Sequence, residues 1–250
     1  QLLQEHIVKN DDKFADRINP TMLMKYRSGG DLGLVFNDNN IWKDQRRFAL
    51  HTLRDIGFNS ATMQNTAVSY AQEIIGRWKE QGTSRQPVDV TMGIMVGVSN
   101  IIWQQTFGRT LSYDDPLIER AKNLSNELVV RMSHPVMHAL EIFPFLRHFD
   151  RILGSPIQQY VDCNGGLHEL INKELAIIGE EFNEDDEPRS YADAFMREMK
   201  RREDKREDAE SFTRPQLIAA CYDLWIAGFE TTVNTLRFTI HHMVRSMSLA

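Results

Sequence analysis

Cysteine is nearly missing from this chain of 250 residues. The two present, Cys163 and Cys221, lie far apart and match neither a disulfide framework nor a metal-binding spacing, so a reducing compartment fits best. No apolar run of about 18 residues occurs, and no membrane-crossing helix is predicted. The opening, Gln1 to Asn10, is polar and mixed, unlike a secretory leader. Positive charge is not in excess. The formal net charge is -6, which removes nucleic acid as an expected partner. The histidines provide no ligand set. His134 and His138 are four apart but flank Pro135, and His241 and His242 are merely adjacent. No metal site is predicted, and no internal repeat is present. A chain that is 42% hydrophobic and 26% charged suits one globular domain spanning residues 1–250.

What is there is organised around Thr213 to Val244. Leu217, Cys221, Leu224, Trp225, Gly228, Thr232, Leu236, Ile240 and Met243 recur at three and four, which predicts a long helix with neighbours on most sides. Thr213 with Gln216 is a capping-box pattern, and Pro215 suits a first turn. The middle of this helix is weak. Ala227-Gly228-Phe229-Glu230-Thr231-Thr232 places glycine and two threonines where a core helix favours Leu and Ala. Two readings stand side by side. Gly228 lets another helix approach closely, or the weakened stretch makes room for a bound group.

A second stretch is Asn37 to Leu53. Asn39 or Asn40 can cap a helix, and Trp42 and Arg46, four apart, share one face. An indole N–H and a guanidinium fork can grip a carboxylate together. An indole packed in the core beside a surface arginine has the same spacing, and Arg47 competes for the role.

Elsewhere the pattern predicts short helices within Gln1 to Arg27, a glycine-bearing loop from Ser28 to Gly33, and helices over Ile56–Gln81, Val88–Thr106, Leu117–Met132 and Ile157–Gly179. Ile142, Phe143, Pro144, Phe145, Leu146 and Phe149 form a dense apolar run, for which packing inside is the default and contact with a membrane surface the alternative. From Arg197 to Glu210 both charge signs interleave, which reads as a solvated helix end and loop. About nine helices and few strands make a mainly α domain.

Ala227-Gly228-x-Glu230-Thr231-Thr232, its flanks Asp223-Leu224 and Thr235-Leu236-Arg237, and Trp42-x-x-x-Arg46 before Arg47-Phe48 occur in this order. So do Phe107-Gly108-Arg109 and Tyr113 to Pro116 between them. Together they resemble the cytochrome P-450 monooxygenases, nearest to the animal microsomal branch, over almost the whole chain. The resemblance implies a partial cytochrome P-450 fold. Its central helices run through the long distal helix, with most of the sheet and the heme-thiolate loop outside the span. It implies heme b as cofactor and electrons from NADPH through a flavin reductase docking on a basic face that includes Lys43 and Arg54. It also implies a small apolar substrate such as a xenobiotic, fatty acid or steroid, and a place on the cytosolic face of the endoplasmic reticulum membrane. By the same resemblance Gly228 opens a groove over the iron, Glu230 and Thr231 relay protons, Trp42 and Arg46 hold a heme propionate, and Gly30 to Phe36 line part of the substrate pocket.

The departures carry their own expectations. No Glu-x-x-Arg helix and no Phe-x-x-Gly-x-x-x-Cys loop of the family follow the Thr213–Val244 stretch in these residues. Cys163 lacks that context, and Cys221 lies on the distal helix itself. The expectation is a chain that stops before its iron ligand. The alternative function is then a non-catalytic, truncated helical product.

Overall fold

The computed structural model describes residues 27, 30, 32–35, 40–58, 60–83, 87–207 and 210–247. Apart from Arg27, the short helices expected before Ser28 lie outside these residues, as do Asn39, Asp31 and Phe36. The described helices are α1 (Asn40–Asp55), α2 (Ala61–Gly82), α3 (Val90–Phe107), α4 (Pro116–Met132), α5 (Pro135–Ile142), a 3-10 turn (Pro144–Phe149), α6 (Pro156–Glu181), α7 (Tyr191–Lys205) and α8 (Arg214–Met247). Among the described residues there is no strand, as a mainly α reading requires.

Local chemistry sets most of these boundaries. Ser60 accepts the Met63 N–H at 3.2 Å to start α2, and Asp89 accepts that of Thr91 at 2.8 Å to start α3. Asp115, followed by Pro116, opens α4, and Ser190 opens α7. Gly108, at φ 71°, ends α3 in the left-handed conformation that glycine adopts without strain. At α8 the first half of the expected box is present, with Gln216 N–H donated to Thr213 Oγ1 at 3.3 Å. The second half is diverted. The Gln216 side chain turns away from the cap and holds Gly33 by both its N–H and its C=O.

The core forms where α3, α6 and α8 meet. Trp103 on α3 stacks near Phe107 at 4.5 Å and meets Trp225 of α8 edge-on at 6.3 Å. Its N–H goes to Glu174 on α6 at 3.3 Å, and Arg109 reaches the same oxygen at 3.1 Å. Burial raises the Glu174 carboxyl above its usual range, while Arg109 opposes the shift. Helix α2 lies on the outside of α3. A Cβ at Gly93 would come within 2.7 Å of Ile74, and one at Gly97 within 2.9 Å, so these glycines form the seat for that side chain.

Two expectations change here. Helix α8 is central only in its first half. Leu217, Cys221, Trp225, Phe229 and Val233 are buried, whereas Leu236, Phe238, Met243 and Val244 are exposed. Its second half meets few of the described elements, so an apolar stripe that should sit in the core stands open. The run after α5 also departs from its default. Met137 and Leu140 are buried, but Ile142 is 70% exposed, Phe145 60% and Ile152 82%. The run is wound into a short 3-10 turn and a further turn, too tight for all its rings to face inward.

His168 on α6 packs against the Tyr222 ring at 5.2 Å. Burial, with help from the Arg27 charge, holds its imidazole below the usual histidine range. The unfolded chain therefore binds a proton more readily than the folded one. The stabilisation is complete above the unfolded value of about 6.5 and declines as pH falls from there toward the folded value. The urea midpoint of the chain is expected to drop as pH falls below about 6.5. His168→Gln should flatten that slope, and an identical slope in the variant would assign it elsewhere.

Candidate functional site

The site begins with the weak turn of α8. Thr231 Oγ1 donates to the Ala227 carbonyl at 2.7 Å, Thr235 to Thr231 at 2.8 Å and Thr239 to Thr235 at 2.8 Å. Three threonines bond back along one exposed face, the habit that makes threonine a poor helix former. Ala227 and Thr231 both stand open on that face. Glu230 is half-buried and accepts the Asn234 amide at 2.9 Å, which lays its carboxylate along the helix.

Gly228 answers to both readings of its role. A Cβ there would lie 2.9 Å from Ile102 Cδ1, so the missing side chain lets α3 come close. The same residue lines an open apolar groove of about 350 Å³ with Leu53, Phe58, Met63, Val98, Ile102, Leu224 and Thr232. A neighbouring groove of about 320 Å³ shares Val98, Ile101 and Thr232 and continues along α2 past Tyr70, Ile74 and Trp78.

On α1, Trp42 and Arg46 share a face as their spacing predicts, with the guanidinium 5.4 Å from the indole centroid. Trp42 is 7% exposed, and its single donor is committed to the Leu34 carbonyl at 2.8 Å. Arg46 is exposed and is the member of the pair turned toward solvent. Neither residue lines the Gly228 groove. The structure thus brings Trp42 to Arg46, but neither this pair nor Glu230 and Thr231 line the groove at Gly228. Lys43, Arg47 and Arg54 are all exposed, and Arg54 contacts His51 at 3.0 Å.

A polar cluster that the sequence reading passed over lies behind these groups. Asp223, 1% exposed, forms an ion pair with buried Arg27 and accepts the N–H groups of Leu34 at 2.5 Å and Val35 at 2.9 Å. The Arg27 guanidinium lies 4.7 Å from the centre of the Tyr222 ring, and Tyr222 donates to Asn164 on α6 at 2.8 Å. The available signal was a carboxylate at a buried position of α8, between Cys221 and Trp225. A buried charge needs a partner, and that partner is here.

Ala227 and Thr231 stand open on one face of α8, the apolar groove lies between α8 and α3, and Arg46 faces solvent on α1. An axial iron ligand is another matter. Cys163 and Cys221 are both buried among core side chains. Burial pushes the Cys163 thiol up to about 11, with Glu127 adding to the effect, and raises the Cys221 thiol further. Neither is poised as a thiolate. Among the described residues no cluster of His, Cys, Asp and Glu could hold a metal ion. Neither thiol is therefore placed to hold an iron.

The described helices, packed around the first half of a continuous α8, form a mainly α domain. Residues 1–249 match the family model described as Cytochrome P450, and the chain belongs to that family. It is 33% identical over 245 residues to a protein described as "Probable cytochrome P450 CYP36A1" from Caenorhabditis elegans, covering 98% of this chain and 49% of that protein. It is 30% identical over 239 residues to "Cytochrome P450 2J3" from Rattus norvegicus, covering 96% and 46%. It is 30% identical over 251 residues to "Farnesoate epoxidase" from Bombyx mori, covering 98% and 48%. The chain spans about half the length of the curated relatives it matches.

Proposed function

We propose that this chain supplies the oxygen side of a heme-dependent monooxygenase that oxidises a small apolar organic substrate, with electrons from NADPH through a flavin reductase. The observation that carries this reading is the α8 turn. A rigid, half-buried helix presents a hydroxyl and a carboxylate on adjacent residues, within one turn of the Gly228 that lines an apolar groove. When bound, heme would supply the oxygen chemistry. The residues of the chain would hold and hand over protons. Thr231 keeps its proton on the Ala227 carbonyl at rest and leaves its oxygen lone pairs open on the exposed face. Rotation about one side-chain bond would redirect that proton. Glu230, tethered by Asn234, is within reach of solvent as the resupplying acid. Arg46 would meet a propionate, and Trp42 would hold Arg46 in place by its ring rather than by its N–H. Gly228 would leave the groove unobstructed.

In a heme-loaded protein of full family length, Thr231→Ala is expected to lower product formed per NADPH consumed by about 100-fold, the low end of the range usual for a positioned proton donor. Product and NADPH measured in one assay give the ratio, and an unchanged ratio removes this role from the hydroxyl.

The exposed run from Ile142 to Leu153 supports peripheral contact with a membrane surface, in keeping with a place at the endoplasmic reticulum. Its rings stand beside Arg147 and Arg151, both exposed, which suit anionic headgroups. No described helix is long and apolar enough to cross a membrane. In flotation with vesicles containing anionic lipid, the chain is expected in the lipid fraction. Phe145→Ser with Ile152→Ser should return most of it to the soluble fraction, and equal flotation of both forms would rule the patch out.

A further inference from the structure

The two stretches that stand out in the sequence sit on α1 and α8, and one carboxylate joins them. Asp223 on α8 accepts the N–H groups of Leu34 and Val35 and pairs with Arg27. Two turns earlier, Gln216 accepts the Gly33 N–H at 3.0 Å and donates to the Gly33 carbonyl at 3.4 Å. The backbone from Gly33 to Val35 is therefore held along α8 by two side chains. The Leu34 carbonyl serves a different helix and accepts the indole N–H of Trp42 on α1. Gly33 sits at φ +92°, and a Cβ there would strike Asp223 Oδ2, so the approach is as close as the backbone allows.

We propose that Asp223 is a positioning residue. Through the backbone of Leu34 it sets the Trp42 indole, and with it the Arg46 guanidinium stacked on that ring, relative to the Gly228–Thr231 stretch further along α8. The relay stands on these hydrogen bonds. Its meaning for a carboxylate-bearing cofactor rests on the reading above.

Hydrogen exchange followed by NMR on the chain as it stands tests this without any porphyrin. In Arg27→Gln/Asp223→Asn, which leaves no buried charge unpaired, the Leu34 and Val35 amides and the Trp42 indole N–H are expected to exchange at least about 10-fold faster. The Trp103 indole, bound to Glu174 in the α3–α6 core, should keep its rate. Gly33→Ala pushes a methyl against Asp223 without altering any charge and should reproduce the pattern. Faster amides with an unchanged Trp42 indole would overturn the relay, and so would equal acceleration at Trp103 in both variants, which marks general destabilisation. A failure of the cofactor reading appears elsewhere, as an Arg46→Gln variant with unaltered heme affinity and the same exchange pattern.

Discussion

Asp223→Ala is expected to destabilise the chain by about 3–5 kcal/mol, the cost usual when one member of a buried ion pair is removed and the other stays behind. Arg27 and Asp223 are 6% and 1% exposed, so solvent cannot compensate for the lost partner. The part-buried Leu34 and Val35 amides lose this acceptor at the same time, and that loss is included in the total. The two costs separate in a second variant. Arg27→Met/Asp223→Ala removes the stranded charge but not the stranded amides, and it should recover roughly half of the loss. Urea titrations of the three proteins at pH 7 measure both. A loss below about 1 kcal/mol for Asp223→Ala would mean that water reaches the site and that the ion pair carries little.

The second large effect is Phe195→Ala, expected at about 3–5 kcal/mol. Phe195 on α7 has no exposed surface. It meets Phe48 of α1 at 5.6 Å, Tyr191 at 6.0 Å and Phe212, just before α8, at 5.0 Å. Four rings from three parts of the chain close on this point, and alanine would leave a ring-sized cavity among them. The cluster also holds α1 at a second point, since Phe48 lies about two turns from Trp42 on the same helix. Calorimetric unfolding of Phe195→Ala, Phe48→Ala and the double variant gives the coupling between the two rings, expected at about 0.5–1.5 kcal/mol beyond area alone. Additive losses would show that the rings merely fill space.

These two sites hold α1 by different chemistry. Asp223 acts through backbone hydrogen bonds to a segment more than 180 residues away in sequence, and Phe195 through ring packing. Helix α2, by contrast, has no buried residue and rests its Ile74 on the glycines of α3. It belongs to the low-stability end of the structure. The groove that Gly228 lines opens between these rigid and loose parts.

Much of this was legible residue by residue. Helix positions followed from the three-and-four spacing of apolar residues and from caps such as Ser60, Asp115 and Ser190, because both signals are local and depend on neighbours within a turn or two. The Gly228–Thr232 weakness and the Trp42–Arg46 pairing followed for the same reason. What the linear order left open were the long-range partners. Gln216 looked like half of a capping box and became a clamp on Gly33. The indole of Trp42 looked like half of a carboxylate grip and gave its proton to Leu34. Asp223 looked like a flank of a motif and holds a buried charge. Each such group has one donor or one acceptor set, and only the packed chain decides which of several chemically adequate partners comes within 3 Å. Local spacing thus determined the helices, and the ordered motifs carried the resemblance to the family, whereas the choice of hydrogen-bond partner, and the exposure of the second half of α8, came from how those helices are stacked.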